Sequence, residues 1–247
     1  MKRFLIPISI FIVCVAASVV SIVAKVSENS GVDNLTGTKT IAISDFDEIE
    51  TSIVSIELVD GMAAGEARLE APQEMMDKIE VRVDDGTLKV GFKNKVNSNS
   101  KKNGTPRLFV ACRPIKSIEA STAAVVKATT LPTVDELEIE ASTAATVAID
   151  SINARKIELE AETAATLSIA NVTAVRLKGE ASTGATLKIK SGKASFAEFS
   201  GTTGASLLAK GVEANAGKAS ASTGATVRTS IKNATVSSNT GGCVNNK

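Results

Sequence analysis

The sequence predicts an all-β protein: a right-handed parallel β-helix, or solenoid, with rungs of about 20 residues, preceded by an N-terminal signal segment. Three observations predict this fold. Apolar or small residues alternate with polar residues within each repeat, and aromatic residues make up only 3% of the chain, which suits a narrow interior. Similar runs recur with a spacing of 21 residues once and 20 thereafter: ASTAAVV from Ala120, ASTAATV from Ala141, AETAATL from Ala161, ASTGATL from Ala181, GTTGASL from Gly201 and ASTGATV from Ala221.

The chain begins with the predicted signal peptide, residues 1–24. A short basic start is followed by an almost uninterrupted apolar run up to Ala24. This order is typical of a secretory signal peptide, although the run is also long enough to span a membrane as an uncleaved anchor. Val13 precedes Cys14, where a lipoprotein signal needs a small residue, so no lipid anchor is expected. The sequence therefore predicts export, with membrane contact only through this segment if it stays uncleaved.

A linker is expected at residues 25–38, followed by a single β-helix domain at residues 39–243. Within the domain, residues 39–110 are expected to form irregular N-terminal rungs and residues 111–240 the repeated rungs. In the irregular part, alternating residues lead into Asp84-Asp85-Gly86, a sequence typical of a hairpin or a tight corner. The polar, low-complexity stretch at residues 94–105 predicts an exposed loop.

In the repeated rungs, the alternation assigns one phase to the interior. The interior phase includes a threonine column, in which ladder hydrogen bonds are expected to stabilise the stack: Thr122, Thr143, Thr163, Thr183, Thr203 and Thr223. An alanine column is expected at a tight inner corner: Ala154, Ala174, Ala194, Ala214 and Ala234. A bend is expected where a small residue precedes the next strand: Ala144, Ala164, Gly184, Gly204 and Gly224.

The amino-acid composition excludes most kinds of catalytic site. The chain of 247 residues has no His, Trp or Tyr, so it offers no imidazole base, no phenolic acid and no indole platform. With 43% hydrophobic residues it is neither a disordered tail nor a many-pass membrane protein. The net charge of +1 gives no basic excess, so no nucleic-acid partner is expected, and no cofactor is expected either.

Two cysteines follow the signal segment, too few for a disulfide scaffold. Cys112 follows Leu108 and Val110 on one face of a strand, which favours a small buried hydrophobic side chain over a reactive thiol. Cys243 lies in the C-terminal tail. The sequence leaves open whether both are free thiols or form a bond with each other.

Three blocks of sequence resemble a known family. SDFDEIETSIVSIELVDG begins at Ser44, DKIEVRVDDGTLKVGFK at Asp77 and PRLFVACRPIKSIEASTAAVV at Pro106, and the Ala/Ser-Thr-Gly-Ala rungs follow them. In this order they resemble the auto-transporter adhesin head GIN domain family, over roughly residues 39–242. The resemblance implies an exported cell-envelope β-helix of adhesin type, and it carries no catalytic residues over to this chain.

Stacked carboxylates form one candidate site. Glu140, Glu160 and Glu180 recur every 20 residues at outward positions, so stacked rungs would bring them within about 5–7 Å of one another. Hard cations bind clustered oxygen ligands, so a weak calcium site is one hypothesis and an acidic contact patch another. The alternative is a solvated face that keeps the solenoid soluble.

The outward hydroxyl residues form a second candidate site, a binding face made of Thr146, Thr166, Thr186 and Thr226, with Ser206 in the same column. An enzyme would have to use carboxylates such as Glu158 and Glu160 as acid and base. These are outward positions on one strand with no implied cleft, so we expect no enzyme activity.

The sequence therefore predicts an exported, non-catalytic, adhesin-like module at the cell surface or outer envelope. We expect it to bind a glycan or another envelope protein through its broad outward faces. The alternative is a periplasmic structural or envelope-maintenance module. A polysaccharide-acting enzyme is the least favoured hypothesis, and the sequence does not indicate an oligomeric state.

Overall fold

A computed structural model describes residues 36–93 and 105–247, and in these residues the protein is almost entirely β-structure. The predicted signal peptide, most of the predicted linker and most of the predicted loop at residues 94–105 lie outside the described residues. Within the described residues, no helix is both long enough and apolar enough to cross a membrane. The elements are β1 (Thr36–Ala42), β2 (Glu48–Ser52), β3 (Ser55–Val59), β4 (Glu66–Pro72), α1 (Gln73–Met76), β5 (Ile79–Asp84), β6 (Thr87–Phe92), β7 (Arg107–Ala111), β8 (Ser117–Ser121), β9 (Val125–Thr130), β10 (Val134–Ala141), β11 (Thr146–Ala161), β12 (Thr166–Ala181), β13 (Thr186–Gly201), β14 (Ser206–Ala221), β15 (Thr226–Ser238) and β16 (Cys243–Asn246).

Each rung has three sides. Along β11 the alternation of buried and outward residues breaks twice, at Asp150–Ser151 and at Arg155–Lys156, where neither neighbour is buried. A third break is the turn that precedes the strand. We call the three sides of this rung side A (residues 146–149), side B (151–154) and side C (156–161), and we use the same names for the equivalent residues of every rung.

The rungs stack in parallel, which confirms the predicted solenoid. Val147 of β11 lies opposite Leu167 of β12, and Ile157 lies opposite Leu177, in a register of 20 residues. The same register joins β12 to β13 and β13 to β14. Parallel strands buried on one face alternate apolar and polar residues, and the sequence shows this alternation on each side.

A tight turn joins side C to side A in each repeated rung. In one such turn the Ala145 N–H donates to the Ser142 carbonyl at 3.0 Å, and the φ angles of Thr143 and Ala144 are 50° and 62°. Two successive residues with positive φ are typical of a type I′ turn, which confirms the predicted bend. A Cβ on Gly184, the residue equivalent to Ala144, would meet nothing within 4 Å, so the positive φ and not crowding favours glycine.

The prediction that the turn threonines face the interior is wrong. Each member of that column is exposed: Thr122, Thr143, Thr163, Thr183, Thr203 and Thr223. The two left-handed residues of the turn interrupt the alternation, so the inward phase passes from Ala141 directly to Ala145. Backbone groups form the ladder instead, because the Ala144 N–H donates to the carbonyl of Thr163 in the next rung at 3.0 Å.

The interior of side C is filled by residues of alternating size. Phe199 is 1% exposed, and it lies between Gly179 of one neighbouring rung and Ala219 of the other. A Cβ on Gly179 would come within 2.9 Å of Cδ1 of Phe199. Gly179 therefore provides the space that the phenyl ring occupies.

The N-terminal end is closed by strands that leave the parallel order. β6 pairs in parallel with β2, and β7 pairs in parallel with β3, so β6 and β7 lie at the N-terminal end of the stack. β4 pairs antiparallel with β7, β1 pairs antiparallel with β4, and β5 pairs antiparallel with β6. Asp85 and Gly86 form the two-residue hairpin loop between β5 and β6, with φ angles of 49° and 78°, as the sequence predicted. β1 begins at Thr36, inside the last residues of the predicted linker.

The last complete rung is shorter than the others. Ala209 pairs with Thr229, but Glu213 pairs with Ser230, so β15 lacks three residues at the corner between sides A and B. Ala214 therefore lies opposite Ile231, whereas Ala234 lies opposite Gly217. The alanine column is confirmed from Ala154 to Ala214, but the prediction that Ala234 continues it is wrong.

Candidate functional site

The predicted acidic residues form a continuous ladder on side C. Parallel pairing places five carboxylates in neighbouring rungs, in the order Glu50, Glu119, Glu140, Glu160 and Glu180. Burial raises the pKa values of Glu119, Glu140 and Glu160 above their usual range, and the neighbouring carboxylates raise them further. The ladder therefore concentrates negative charge along the axis of the solenoid.

Basic residues neutralise the two ends of this ladder. Lys89 Nζ lies 3.4 Å from Glu50 Oε2, and Lys178 Nζ lies 3.2 Å from Glu180 Oε2. The three central carboxylates have no ion-pair partner among the described residues. In that part of the chain, no group of three or more His, Cys, Asp or Glu residues could hold a metal ion. The geometry gives the calcium hypothesis for Glu140, Glu160 and Glu180 no support.

The two carboxylates considered for acid–base chemistry have different surroundings. Glu158 Oε1 lies 2.9 Å from Lys156 Nζ and lines a shallow outer depression of about 440 Å³, together with Glu48, Lys116 and Glu136. Glu160 does not line this depression. The structure therefore does not bring Glu158 and Glu160 together around an enclosed space.

The predicted hydroxyl residues form a regular column on side A. Strand pairing places Thr146, Thr166, Thr186, Ser206 and Thr226 in successive rungs, and Cys243 of β16 follows them. All five hydroxyl residues point outward; Thr166 is exposed and the other four are half-buried. Rungs are about 4.8 Å apart, so the column is a flat strip of hydroxyl groups about 19 Å long. It can donate and accept hydrogen bonds along its whole length.

Basic side chains border this column in its C-terminal half, and the sequence analysis did not identify them. Lys188 and Arg228 are exposed on side A, two residues after Thr186 and Thr226. Lys190 and Lys210 are exposed at the corner between sides A and B, and Lys193 is exposed on side B. The distribution of charge along the chain could have revealed this group, because the overall net charge of +1 conceals it.

The two cysteines of the described residues are free. Burial and the neighbouring Asp60 carboxylate raise the pKa of the Cys112 thiol, which donates to the Thr130 carbonyl at 3.1 Å. Cys112 is half-buried at the edge of the core, and Cys243 is exposed in β16. A raised pKa disfavours the reactive thiolate, so Cys112 is suited to packing and not to nucleophilic chemistry.

Comparison with protein families gives one match that covers most of the chain. Residues 45–247 match a family described as "Putative auto-transporter adhesin, head GIN domain". Among proteins with curated descriptions, none matches this sequence.

Solved structures share the fold at low sequence identity. A "putative adhesin" from Parabacteroides distasonis has a TM-score of 0.73 and 16% identity, over 87% of this chain and 98% of that chain. A "putative adhesin" from Bacteroides fragilis has a TM-score of 0.69 and 18% identity, over 86% and 97% of the two chains. A "putative lipid binding protein" from Parabacteroides distasonis has a TM-score of 0.70 and 14% identity, over 86% and 96%. These similarities concern the fold alone.

Proposed function

Because the chain belongs to the auto-transporter adhesin head GIN domain family, we propose that it is an exported, non-catalytic adhesin-like module of the cell envelope. In this proposal the module is displayed at the cell surface or outer envelope. It binds a glycan or another envelope protein through its outward faces.

The observation that carries the proposal is the hydroxyl column of side A. Its five hydroxyl residues point outward in register, and the solenoid core behind them holds them on rigid strands. Adhesive recognition of an extended partner needs an extended, regular surface, and the groups on side A repeat with every rung. The residue types of this column, Thr and Ser, both donate and accept the hydrogen bonds that sugar hydroxyls and peptide groups make.

The interior of the solenoid supports surface binding over binding in a cavity. Long apolar side chains of successive rungs fill it, and Ile157, Leu167 and Leu187 are fully buried. A structural neighbour is named a "putative lipid binding protein". In the described part of this chain, the filled core leaves an acyl chain only the outer faces.

Binding to envelope material tests this proposal. Polysaccharide and protein fractions extracted from the envelope of the producing cells are immobilised, and the purified protein is applied to each. We expect saturable binding to one fraction, and we expect the variant Thr166→Tyr/Thr186→Tyr to lose it because two bulky rings interrupt the flat strip. Tyr is favoured in strands, so the fold should persist, and circular dichroism checks this.

The matched control replaces two stacked hydroxyl residues on another side. Ser200 and Ser220 lie in neighbouring rungs of side C, with their hydroxyl oxygens 3.2 Å apart. Ser200→Tyr/Ser220→Tyr should retain binding. Equal loss in both variants would show that side A has no special role, and no binding by the unaltered protein would contradict the proposed function.

A further inference from the structure

The charge of the described residues is divided along the solenoid. Residues 36–93 and 105–181 contain 14 Lys and Arg against 23 Asp and Glu, a net charge of −9. Residues 182–247 contain eight Lys and Arg against two Asp and Glu, a net charge of +6. The C-terminal rungs are therefore a positively charged body attached to a negatively charged one.

The ion pairs show the same division. All those found in the described residues lie between Asp45 and Glu180. The acidic body thus neutralises part of its charge internally, whereas none of the eight basic side chains after residue 181 has an ion-pair partner among the described residues. Cations that lack internal partners are available to an external anion.

Five of these side chains lie on side A, on side B or at the corner between them in β13, β14 and β15, and we call them the basic corner: Lys188, Lys190, Lys193, Lys210 and Arg228. Glu213 lies opposite Lys193 in the adjacent rung. Lys188, Leu208 and Arg228 occupy one column of side A, so the two cations are separated by two rungs, about 10 Å. Lys190 and Lys210 occupy equivalent positions in adjacent rungs, about 5 Å apart. Like charges at this separation repel each other, and a bound anion relieves the repulsion.

Glycines allow the backbone to fold closely at this corner. A Cβ on Gly211 would lie 1.9 Å from the Lys190 carbonyl oxygen, and a Cβ on Gly192 would lie 2.3 Å from the Val172 carbonyl oxygen. Gly192 has a φ of 156°, which side-chain-bearing residues rarely adopt. The tight corner holds the strands on which the lysines are presented, so the cations belong to a rigid part of the fold.

We infer that the basic corner and the adjoining hydroxyl column bind an acidic polysaccharide, a glycan whose sugar residues carry carboxylates. This inference rests on the proposed function, and it names the chemical class of the partner. The cations match the carboxylates, and Thr186, Ser206 and Thr226 lie beside Lys188 and Arg228 to bind sugar hydroxyls. Recognition by ion pairs and hydrogen bonds also suits a chain without Trp or Tyr, which lacks the usual aromatic platforms for neutral sugars.

A membrane surface fits this corner less well. In the described residues the exposed large hydrophobic side chains are Ile53, Val175 and Val236, and none of them belongs to the basic corner. Surface helices and loops that insert into lipid present apolar residues beside their cations. The adjoining residues here are hydroxylated instead.

The test uses a pair of polymers that differ only in charge. Polygalacturonate carries one carboxylate per sugar residue, and its fully methyl-esterified form carries none. Each is immobilised, and the affinity of the purified protein is measured by biolayer interferometry at low and physiological salt. We expect binding to polygalacturonate that weakens with salt, and weaker binding to the ester.

Charge-reversal variants locate the site. Lys190→Glu/Lys210→Glu should weaken binding to polygalacturonate by about tenfold or more, because each reversal replaces an attraction by a repulsion. The control Lys218→Glu/Lys232→Glu reverses two exposed lysines of β14 and β15 outside the basic corner, with an equal change in net charge. It should weaken binding by less than about threefold.

Four results would overturn the inference: no binding to polygalacturonate, equal binding to the ester, equal loss in both variants, or tighter binding to phosphatidylglycerol vesicles than to polygalacturonate. Failure of the proposed function is separate from these results. If the protein still binds envelope material and Thr166→Tyr/Thr186→Tyr abolishes that binding, the proposed function stands and only the acidic class of partner is wrong.

Discussion

At the scale of single residues, Phe199 is the largest side chain of the solenoid interior to be fully buried. Its ring occupies the space left by two small residues, Gly179 in one adjacent rung and Ala219 in the other. The alternation in the sequence predicts that residue 199 faces inward. It does not predict that the residues beside Phe199 in the two adjacent rungs are both small. This arrangement depends on the 20-residue register, which aligns a large residue with two small ones.

Replacing Phe199 with Ala should lower the free energy of unfolding by about 3–5 kcal/mol, because the ring leaves a cavity that its two small neighbours do not fill. Urea unfolding followed by circular dichroism measures the change. Phe196→Ala is the control, since Phe196 lies outward in the same rung, with the Arg176 guanidinium 5.5 Å from its ring centroid. Its loss should cost about 1 kcal/mol or less, and similar losses in both variants would contradict the described packing.

The acidic ladder makes a prediction about pH. The pKa values of Glu119, Glu140 and Glu160 are raised in the folded protein, first by burial and then by neighbouring carboxylates. At a pH between 4.5, the ordinary pKa of a Glu side chain in the unfolded protein, and the raised pKa in the folded protein, the folded state binds more protons than the unfolded state. The contribution of these groups to stability is therefore fully present below pH 4.5 and is lost as the pH rises through the raised values.

Glu140→Gln should accordingly stabilise the protein at neutral pH by about 0.5 kcal/mol, and by less near pH 4, because it removes one like charge from the ladder. Glu158→Gln is the control: it removes the nearer of the two ion-pair partners of Lys156 and should not stabilise the protein. Urea unfolding at the two pH values measures both effects. A destabilising effect of Glu140→Gln at neutral pH would show that the ladder is not repulsive.

At the scale of elements, the sequence predicts the sides of the rungs better than their corners. Period-two alternation identifies inward residues such as Ile157 and Leu159 correctly, because a strand fixes the direction of each successive side chain. It fails at Thr143 and its equivalents, because two left-handed residues reset the phase there. The 20-residue recurrence fails at Ala234, because a three-residue shortening in β15 changes the register.

The candidate site shows the same limit. The outward phase of Thr166 and Thr186 follows directly from alternation, and the structure places both on side A. The grouping of Lys190 with Lys193 and Lys210 depends on the location of the corner between sides A and B. Alternation does not predict where a rung turns a corner, so the basic corner could be recognised only in the folded structure.

The turns between sides C and A make a prediction of their own. Gly184→Ala should destabilise the protein by about 1 kcal/mol, because its φ of 73° is unfavourable for a residue with a Cβ. Ala164→Gly should relieve the same strain in the neighbouring rung, where φ is 61°, with a small gain or no change once the added flexibility of the unfolded chain is included.

Gly91→Ala is the matched control for these turns. Gly91 lies in β6, its φ is not positive, and the nearest atom to an added Cβ is the Ser52 carbonyl oxygen at 3.8 Å. This variant should be neutral or slightly stabilising. Thermal unfolding compares the three variants. Destabilisation by Gly91→Ala equal to that by Gly184→Ala would show that the effect is not specific to the turn conformation.

At the scale of the whole molecule, the two ends of the solenoid are finished differently. Antiparallel strands and the α1 helix close the N-terminal end. At the C-terminal end β16 pairs only with side A of β15. The Asn246 side chain reaches the first residues of side B, where it accepts from the Ile231 N–H at 2.7 Å and donates to the Ile231 carbonyl at 2.9 Å. The faces between the two ends are long, regular and outward, as a module that binds an extended partner requires.

The proposed function requires that these faces are displayed outside the cell, and surface labelling of intact cells tests this display. A membrane-impermeant amine-reactive biotin reagent is applied to producing cells before and after the outer envelope is opened, and mass spectrometry reads the exposed Lys210 and Lys218. If the module is displayed at the surface, we expect labelling of both lysines in intact cells at a level close to that in opened cells. Labelling only after the envelope is opened would contradict surface display and would favour a periplasmic structural module.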